Sequence, residues 1–148
     1  MTAARKATYR DIPRLLALYN ELDGGNGSVS VKTIDLVFSE FELLPNQELL
    51  VAENEGLVVG TLFLKVVPNL NSNARPHGLL RNMIVDKRHH RRGIGVRLVE
   101  RAFTSARKAG CEVCYKDQSP DDKKHQDEHG FYRYMGFEDS KFGLYRHL

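Results

Sequence analysis

The sequence predicts a mixed α/β domain in which helices flank one central sheet. Three observations carry that expectation. The chain has 148 residues, 41% of them hydrophobic and 28% charged, which suits a single domain with its own core. The hydrophobic period changes along the chain, from helical spacing before Pro45 to β-rich runs after it. A strand, a glycine loop and a helix then follow one another in the middle of the chain, over residues 79–109. The predicted order is β-α-α-β-β-β-α-β-α-β across residues 1–148.

A short first strand is expected at 5–9. A helix follows from Asp11 as N-cap, with Pro13 in its first turn and Ile12, Leu15, Leu16, Tyr19 and Leu22 at helical spacing. "DGGNGS" ends it. A second helix begins after Ser30, puts Val31, Ile34, Phe38 and Phe41 on one face, and stops before Pro45. "QELLVAE" and "LVVGTLFLKVV" are strands joined by "NEG", a hairpin signature. "PNLNSNARP" is a loop, and "GLLRNMIV", residues 78–85, is the next strand. In "VRLVERAFTSARKAG" the stripe Leu98, Val99, Ala102, Phe103, Ala106, Ala109 predicts a helix with Gly110 at its C-terminal cap. "CEVCYK" is a further strand, "SPDDKKHQDE" a polar loop, "EHGFYRYMGF" a short helix stopped at Gly136, and "FGLYRHL" a closing strand.

Charge is focal. Residues 87–97, "KRHHRRGIGVR", hold Lys87, Arg88, Arg91, Arg92 and Arg97 and no acid, a local +5 in a chain whose total is +3. The first N–H groups of a helix have no internal partner, and the helix dipole favours an anion there. Gly93 and Gly95 leave out Cβ atoms that would block a phosphate. The segment is neither Gly-x-x-x-x-Gly-Lys-Ser/Thr nor Gly-x-Gly-x-x-Gly, which disfavours a P-loop and a dinucleotide fold. On these residues alone, a pyrophosphate site and a basic helix start with glycines for packing both remain open. Nucleic-acid binding is disfavoured, because no aromatic residue is interleaved with the cations. No apolar run reaches the roughly 20 residues of a membrane span, and "MTAARKATYR" lacks the apolar core of a secretory signal, so the expected compartment is the cytoplasm.

With its neighbours the loop resembles a known family. "NMIVDKRHHRRGIGVRLVERA" is similar to the acetyl-CoA-binding motif of the GNAT superfamily of N-acetyltransferases, Arg/Gln-x-x-Gly-x-Gly/Ala between a strand and a helix. "GFYRYMGFE" resembles the family's C-terminal Phe-Tyr-x-x-x-Gly-Phe. "DIPRLLALYNEL" and "LVVGTLFLKVVP" resemble its first helix and a hairpin strand, so the likeness spans nearly the whole chain. It implies a GNAT-like sheet and acetyl-CoA as co-substrate. Backbone around Ile84 and Val85 would hold the pantetheine arm, and the loop His90, Arg91, Arg92, Gly93, Ile94, Gly95 and Val96 the pyrophosphate. Arg88, Arg91 or Arg92 would reach the 3′-phosphate. A backbone N–H in 82–84 would polarise the acetyl carbonyl. Tyr132 would be the catalytic acid at the thioester sulfur, with Tyr134 as the decoy beside it.

Two positions depart from the family pattern. His90 stands where Arg or Gln is usual, at a position that closes the loop. Arg81 stands where many relatives carry a glutamate that relays the amine's proton, and arginine cannot act as a base. His77, Glu48 and Asp86 are the candidate replacements. Arg81 is instead a candidate to bind a substrate carboxylate or phosphate, or a solvated strand-end side chain. The resemblance implies a small-molecule or protein amine as acceptor, direct attack without an acyl-enzyme, and domains that often pair as homodimers. A non-catalytic CoA-binding regulatory module is the alternative. No metal is expected: Cys111 and Cys114 read as ordinary thiols on a strand, and His125 with His129 falls in "HQDEH", not in His-Glu-x-x-His.

Overall fold

The computed structural model describes residues 2–23, 29–116, 126–138 and 146. The chain divides into two compact units, Met1–Lys116 and Asp117–Leu148. The first holds β1 (Thr2–Lys6), α1 (Ile12–Asp23), α2 (Val31–Leu43), β2 (Gln47–Asn54), β3 (Leu57–Val67), β4 (His77–Val85), α3 (Ile94–Lys108) and β5 (Cys114–Lys116). The second holds α4 (Gln126–Tyr134). This is the predicted order up to α4, and the predicted closing strand, residues 142–148, lies outside the described residues except for 146.

The sheet runs β1-β2-β3-β4-β5 in space. β1 to β4 are antiparallel neighbours, while β5 joins β4 in parallel. Side chains alternate between faces along each strand. Leu49, Val51, Val58 and Ile84 pack with Leu15 and Leu18 of α1 and Phe38 of α2. The opposite face receives α3, whose Leu98, Val99 and Ala102 are fully buried. The two layers are why β2 and β3 read as continuous apolar runs: both faces of the strand are covered.

α3 lies close against β3 because of Gly60. A Cβ at that position would stand 3.0 Å from Ile94 Cγ2, 3.1 Å from Leu98 Cδ1 and 3.2 Å from the Ile84 carbonyl oxygen. The helix N-terminus is thereby seated beside the end of β4. At the other end the Cys111 N–H bonds the Ala106 carbonyl and the Gly110 N–H bonds that of Arg107, so Gly110 closes α3 as its sequence position predicts.

Three local expectations need correction. The first strand is Thr2–Lys6 rather than 5–9, because a 3-10 turn, Tyr9–Asp11, leads into α1. Asp11 precedes α1, but its carboxylate turns backward to accept from the Thr8 N–H at 2.7 Å and from both Arg5 guanidinium nitrogens at 2.8 and 3.0 Å. α2 starts at its predicted cap, Ser30, whose Oγ accepts from the Thr33 N–H. It buries Phe38 yet leaves Val31 72% exposed, so the predicted apolar stripe is not wholly inward. Among the described residues no helix is long and apolar enough to cross a membrane.

Candidate active site

The candidate donor site begins with an irregularity in β4. Thr61 pairs with Ile84 and Phe63 pairs with Arg81, so Leu62 alone faces both Asn82 and Met83. That is a β-bulge, and Asn82 adopts the left-handed conformation at φ 53° to make it. On its other side β4 pairs with β5 only from Gly78↔Cys114 to Leu80↔Lys116. The β4–β5 ladder thus ends at Leu80, and residues 82–85 lie beyond it.

The direction of the free backbone groups follows from the ladder. The Asp86 N–H bonds the Val59 carbonyl at 2.8 Å, toward β3. Backbone groups alternate along a strand, so those of Val85 point away from β3, into the open side. His90 Nε2 lies 2.9 Å from the Val85 carbonyl oxygen. A side chain from the loop thus covers that carbonyl and leaves the Val85 N–H facing the opening. Ile84 differs: its side chain is buried in the α1/α2 core.

The loop then turns tightly. Arg91 at φ 62° and Gly93 at φ 75° are both left-handed, and Gly93 is the N-cap of α3. The first intrahelical bond runs from the Arg97 N–H to the Gly93 carbonyl. The N–H groups of Ile94, Gly95 and Val96 consequently have no helical acceptor. Among the described residues a Cβ on Gly93 would meet no heavy atom within 4 Å, so they leave the space over the cap open. Exposed Arg91 and Arg92 flank it. Cationic side chains, free N–H donors and open space around a helix start fit a pyrophosphate.

One buried acid anchors the arrangement. Asp86 is 1% exposed and sits at the foot of the cationic loop. Its Oδ1 accepts from the Arg88 N–H at 3.0 Å, and its Oδ2 from Arg14 Nη2 of α1 at 2.5 Å. Arg14 also donates through Nε to the Val58 carbonyl at 2.8 Å. Burial alone would raise the Asp86 carboxyl, but the bonds from Arg88 and Arg14 outweigh it and hold the group at about 2. Arg14 was not legible as a site residue. The one available signal was a cation on an amphipathic helix, and such residues are usually solvated.

In the second unit, Tyr132 is buried in α4, its ring edge-on to Phe131 and Phe137 with centroids 5.2 and 5.3 Å away. Tyr134 is 79% exposed. The Phe137 N–H bonds the Tyr132 carbonyl and the Gly136 N–H that of Arg133, so the Tyr-x-x-x-Gly-Phe spacing is that of a helix-terminating glycine motif.

The sequence profile of the Acetyltransferase (GNAT) domain matches residues 45–139, more than half of the chain. The chain belongs to the GNAT acetyltransferase family. A candidate acetyltransferase from Agrobacterium tumefaciens str. C58 has a similar structure, with TM-score 0.87, 29% identity and 99% of each chain covered. A transcriptional regulator from Bacillus halodurans C-125 superposes at TM-score 0.89 with 24% identity over 100% of each chain. AAC(6')-Iy in complex with the bisubstrate analogue CoA-S-monomethyl-acetylneamine superposes at 0.79 with 16% identity, over 100% of this chain and 98% of that one. The last two identities speak for the fold alone. No curated protein matches the sequence closely enough to count as a relative.

For this acetyltransferase the three candidate bases fare poorly. Asp86, held at about 2, is a poor proton acceptor at neutral pH. Glu48 pairs in register with Leu64 on the α3 face, opposite to Ile84, and lies 3.6 Å from Lys6 Nζ and 3.9 Å from Arg101 Nη1. His77 opens β4, edge-on to Tyr115 at 5.3 Å. It is seven residues from Ile84, about 20 Å along an extended strand. Arg81 is exposed and shares the sheet face of Phe63. Cys111 and Cys114 are free thiols. Burial, and then the neighbouring Cys111, push Cys114 up to about 11, so it is protonated and a poor nucleophile at neutral pH. The side chains of His125 and His129 lie outside what the structure describes.

Proposed function

We propose that residues 1–148 form one acetyl-CoA-dependent N-acetyltransferase domain that moves an acetyl group to a primary amine of a small molecule or protein. The observation that carries this is the open side of β4 leading directly into the Gly93-capped start of α3. Bound there, acetyl-CoA would supply an activated thioester carbonyl. The Val85 N–H would bond the pantetheine arm as one strand bonds another. His90 closes the loop, and the donors from Arg91 to Val96 neutralise the pyrophosphate. A backbone N–H within 82–84, re-aimed by the bulge, is suited to the acetyl oxygen. Tyr132 would give its proton to the departing sulfur. The amine attacks directly, so no protein nucleophile is required, which agrees with the protonated thiols. Two free cysteines suit a cytoplasmic enzyme.

A non-catalytic CoA-binding module is the second reading. Arg81, at the place where a proton-relaying glutamate is expected, favours it. One experiment separates the two. Acetyl-CoA should raise the melting temperature, since it would bind only the folded chain. A panel of amines is then screened for release of CoA thiol. Stabilisation with turnover of any amine supports the enzyme, and stabilisation without turnover supports the module. The absence of any shift at millimolar acetyl-CoA defeats both.

A further inference from the structure

We propose that the acceptor is a small amine that also carries an acidic group, a carboxylate or a phosphate, and that Arg81 with Lys65 binds that group. The inference rests on the acetyltransferase reading above, in which a backbone N–H within 82–84 holds the acetyl oxygen. The amine must reach that carbonyl from one face of the sheet. Beside Arg81 the α3 face is closed. It presents Leu80 and Leu64, which are 0% and 1% exposed, and a Cβ at Gly78 would stand 3.6 Å from the Ala106 Cβ of α3. On the other face Phe63 and Leu79 are only partly buried and Arg81 is exposed. The bulge produces this arrangement. Asn82 and Met83 both oppose Leu62, so Arg81 and Ile84 share a face although three residues separate them. Ile84 is packed with α1 and α2. Arg81 lies on the same face, outside that packing, next to the proposed reaction centre.

Two cations converge on this face. Phe63 is directly opposite Arg81, and Lys65, opposite Leu79, is the diagonal neighbour of Arg81. Diagonal positions lie about 7–8 Å apart, so both long side chains can reach one group. The floor between them is apolar. Phe63 is held edge-on by Phe41 of α2 at 5.2 Å, and Leu79 pairs with Tyr115 of β5. β3, β4 and β5 contain no Asp or Glu, so these strands present one sign of charge. The planar fork of Arg81 matches a carboxylate or a phosphate with two parallel bonds, and Lys65 adds a point charge. Residue 81 is about 3–10 Å along the strand from the donors of 82–84. The acidic group and the amine are therefore expected within about 10 Å of each other, a separation that one small molecule spans. A polycationic amine is disfavoured, because its remaining ammonium groups would face Arg81 and Lys65.

The test follows thiol release from acetyl-CoA with ω-amino acids and aminoalkyl phosphates of graded length, each beside the alkylamine and the diamine of equal length. Acid-bearing amines should be used at least about tenfold better in kcat/KM. Preference for either acid supports the proposal, and the better arm names the group. Arg81→Met should raise the KM for the preferred acceptor about 10- to 100-fold with little change in kcat, and narrow its advantage over the alkylamine to within about threefold. Arg81→Lys should recover part of the loss. Stabilisation by acetyl-CoA, measured on each variant, checks that the fold and the donor site are intact. Should the Arg81 variants fail to fold, Lys65→Met gives the same readout at about three- to tenfold. Acid-bearing amines used no better than alkylamines, or a preference that survives Arg81→Met, overturns this proposal and leaves the acetyltransferase reading standing. Absence of turnover with every amine overturns both.

Discussion

Arg14 and Asp86 are 72 positions apart, yet Arg14 reaches from α1 to the acid that begins the cationic loop. Arg14→Ala should let the loop relax and raise the KM for acetyl-CoA roughly tenfold, about 1.4 kcal/mol, with kcat nearly unchanged. Arg14→Lys should recover part of the loss, since it keeps the charge but cannot bond both Asp86 and the Val58 carbonyl. A kcat loss matching the KM rise would remove Arg14 from this positioning role. The same carboxyl sets an acid limit. Its folded value of about 2 lies below the ordinary carboxylate value of 3.8, so its stabilisation is complete above that value and is lost as the pH falls toward 2. Melting curves between about pH 5 and 2 should be flatter for Asp86→Asn than for the parent. A parallel pair of curves would mean that Asp86 does not titrate with folding. For Tyr132, replacement by Phe keeps the ring between Phe131 and Phe137 and removes only the hydroxyl. Turnover should fall about 10- to 100-fold with cofactor affinity retained. Unchanged turnover would remove Tyr132 as the acid.

At the scale of elements, the glycine loop was legible because it depends on local chemistry: cations, glycines and a helix start adjacent in sequence. The helix stripe of α3, its Gly110 stop and the Ser30 cap were legible for the same reason. The β4 bulge was not, because "LLRNMIV" reads as a regular strand and the extra residue is defined only by register with β3. Asp11 misled because a side chain before a helix can turn either way, and here Arg5 across the turn drew it back. The helix cap can be tested directly. Gly93 is left-handed, a conformation that disfavours a β-branched residue by about 1–2 kcal/mol. Gly93→Val should also project its side chain into the open space where the pyrophosphate is expected. Acetyl-CoA should then stabilise the protein much less than it stabilises the parent, while the variant's own melting point falls by several degrees. Equal stabilisation by acetyl-CoA would move the pyrophosphate away from this cap.

For the molecule as a whole, the proposed transfer to an amine requires that the amine's proton find an acceptor. A carboxylate on the central strand would be a conventional acceptor, and Arg81 occupies that place. Among the described residues, Asp86 is committed to Arg14 and Arg88, Glu48 lies on the α3 face beside Lys6 and Arg101, and His77 is at the remote end of β4. The sheet thus places each candidate acid or base somewhere that suits structure better than proton transfer, a conflict that residue identities alone could not reveal. The amine is then expected to reach the site already deprotonated, or to lose its proton to water. In that case kcat/KM should rise with pH until it passes the acceptor's own pKa, because that constant reports ionisations of free enzyme and free substrate. Two acceptors whose amines differ by about two pKa units should give profiles displaced by about the same amount. An inflection near pH 6–7 that stays in place for both acceptors would instead identify a base on the protein.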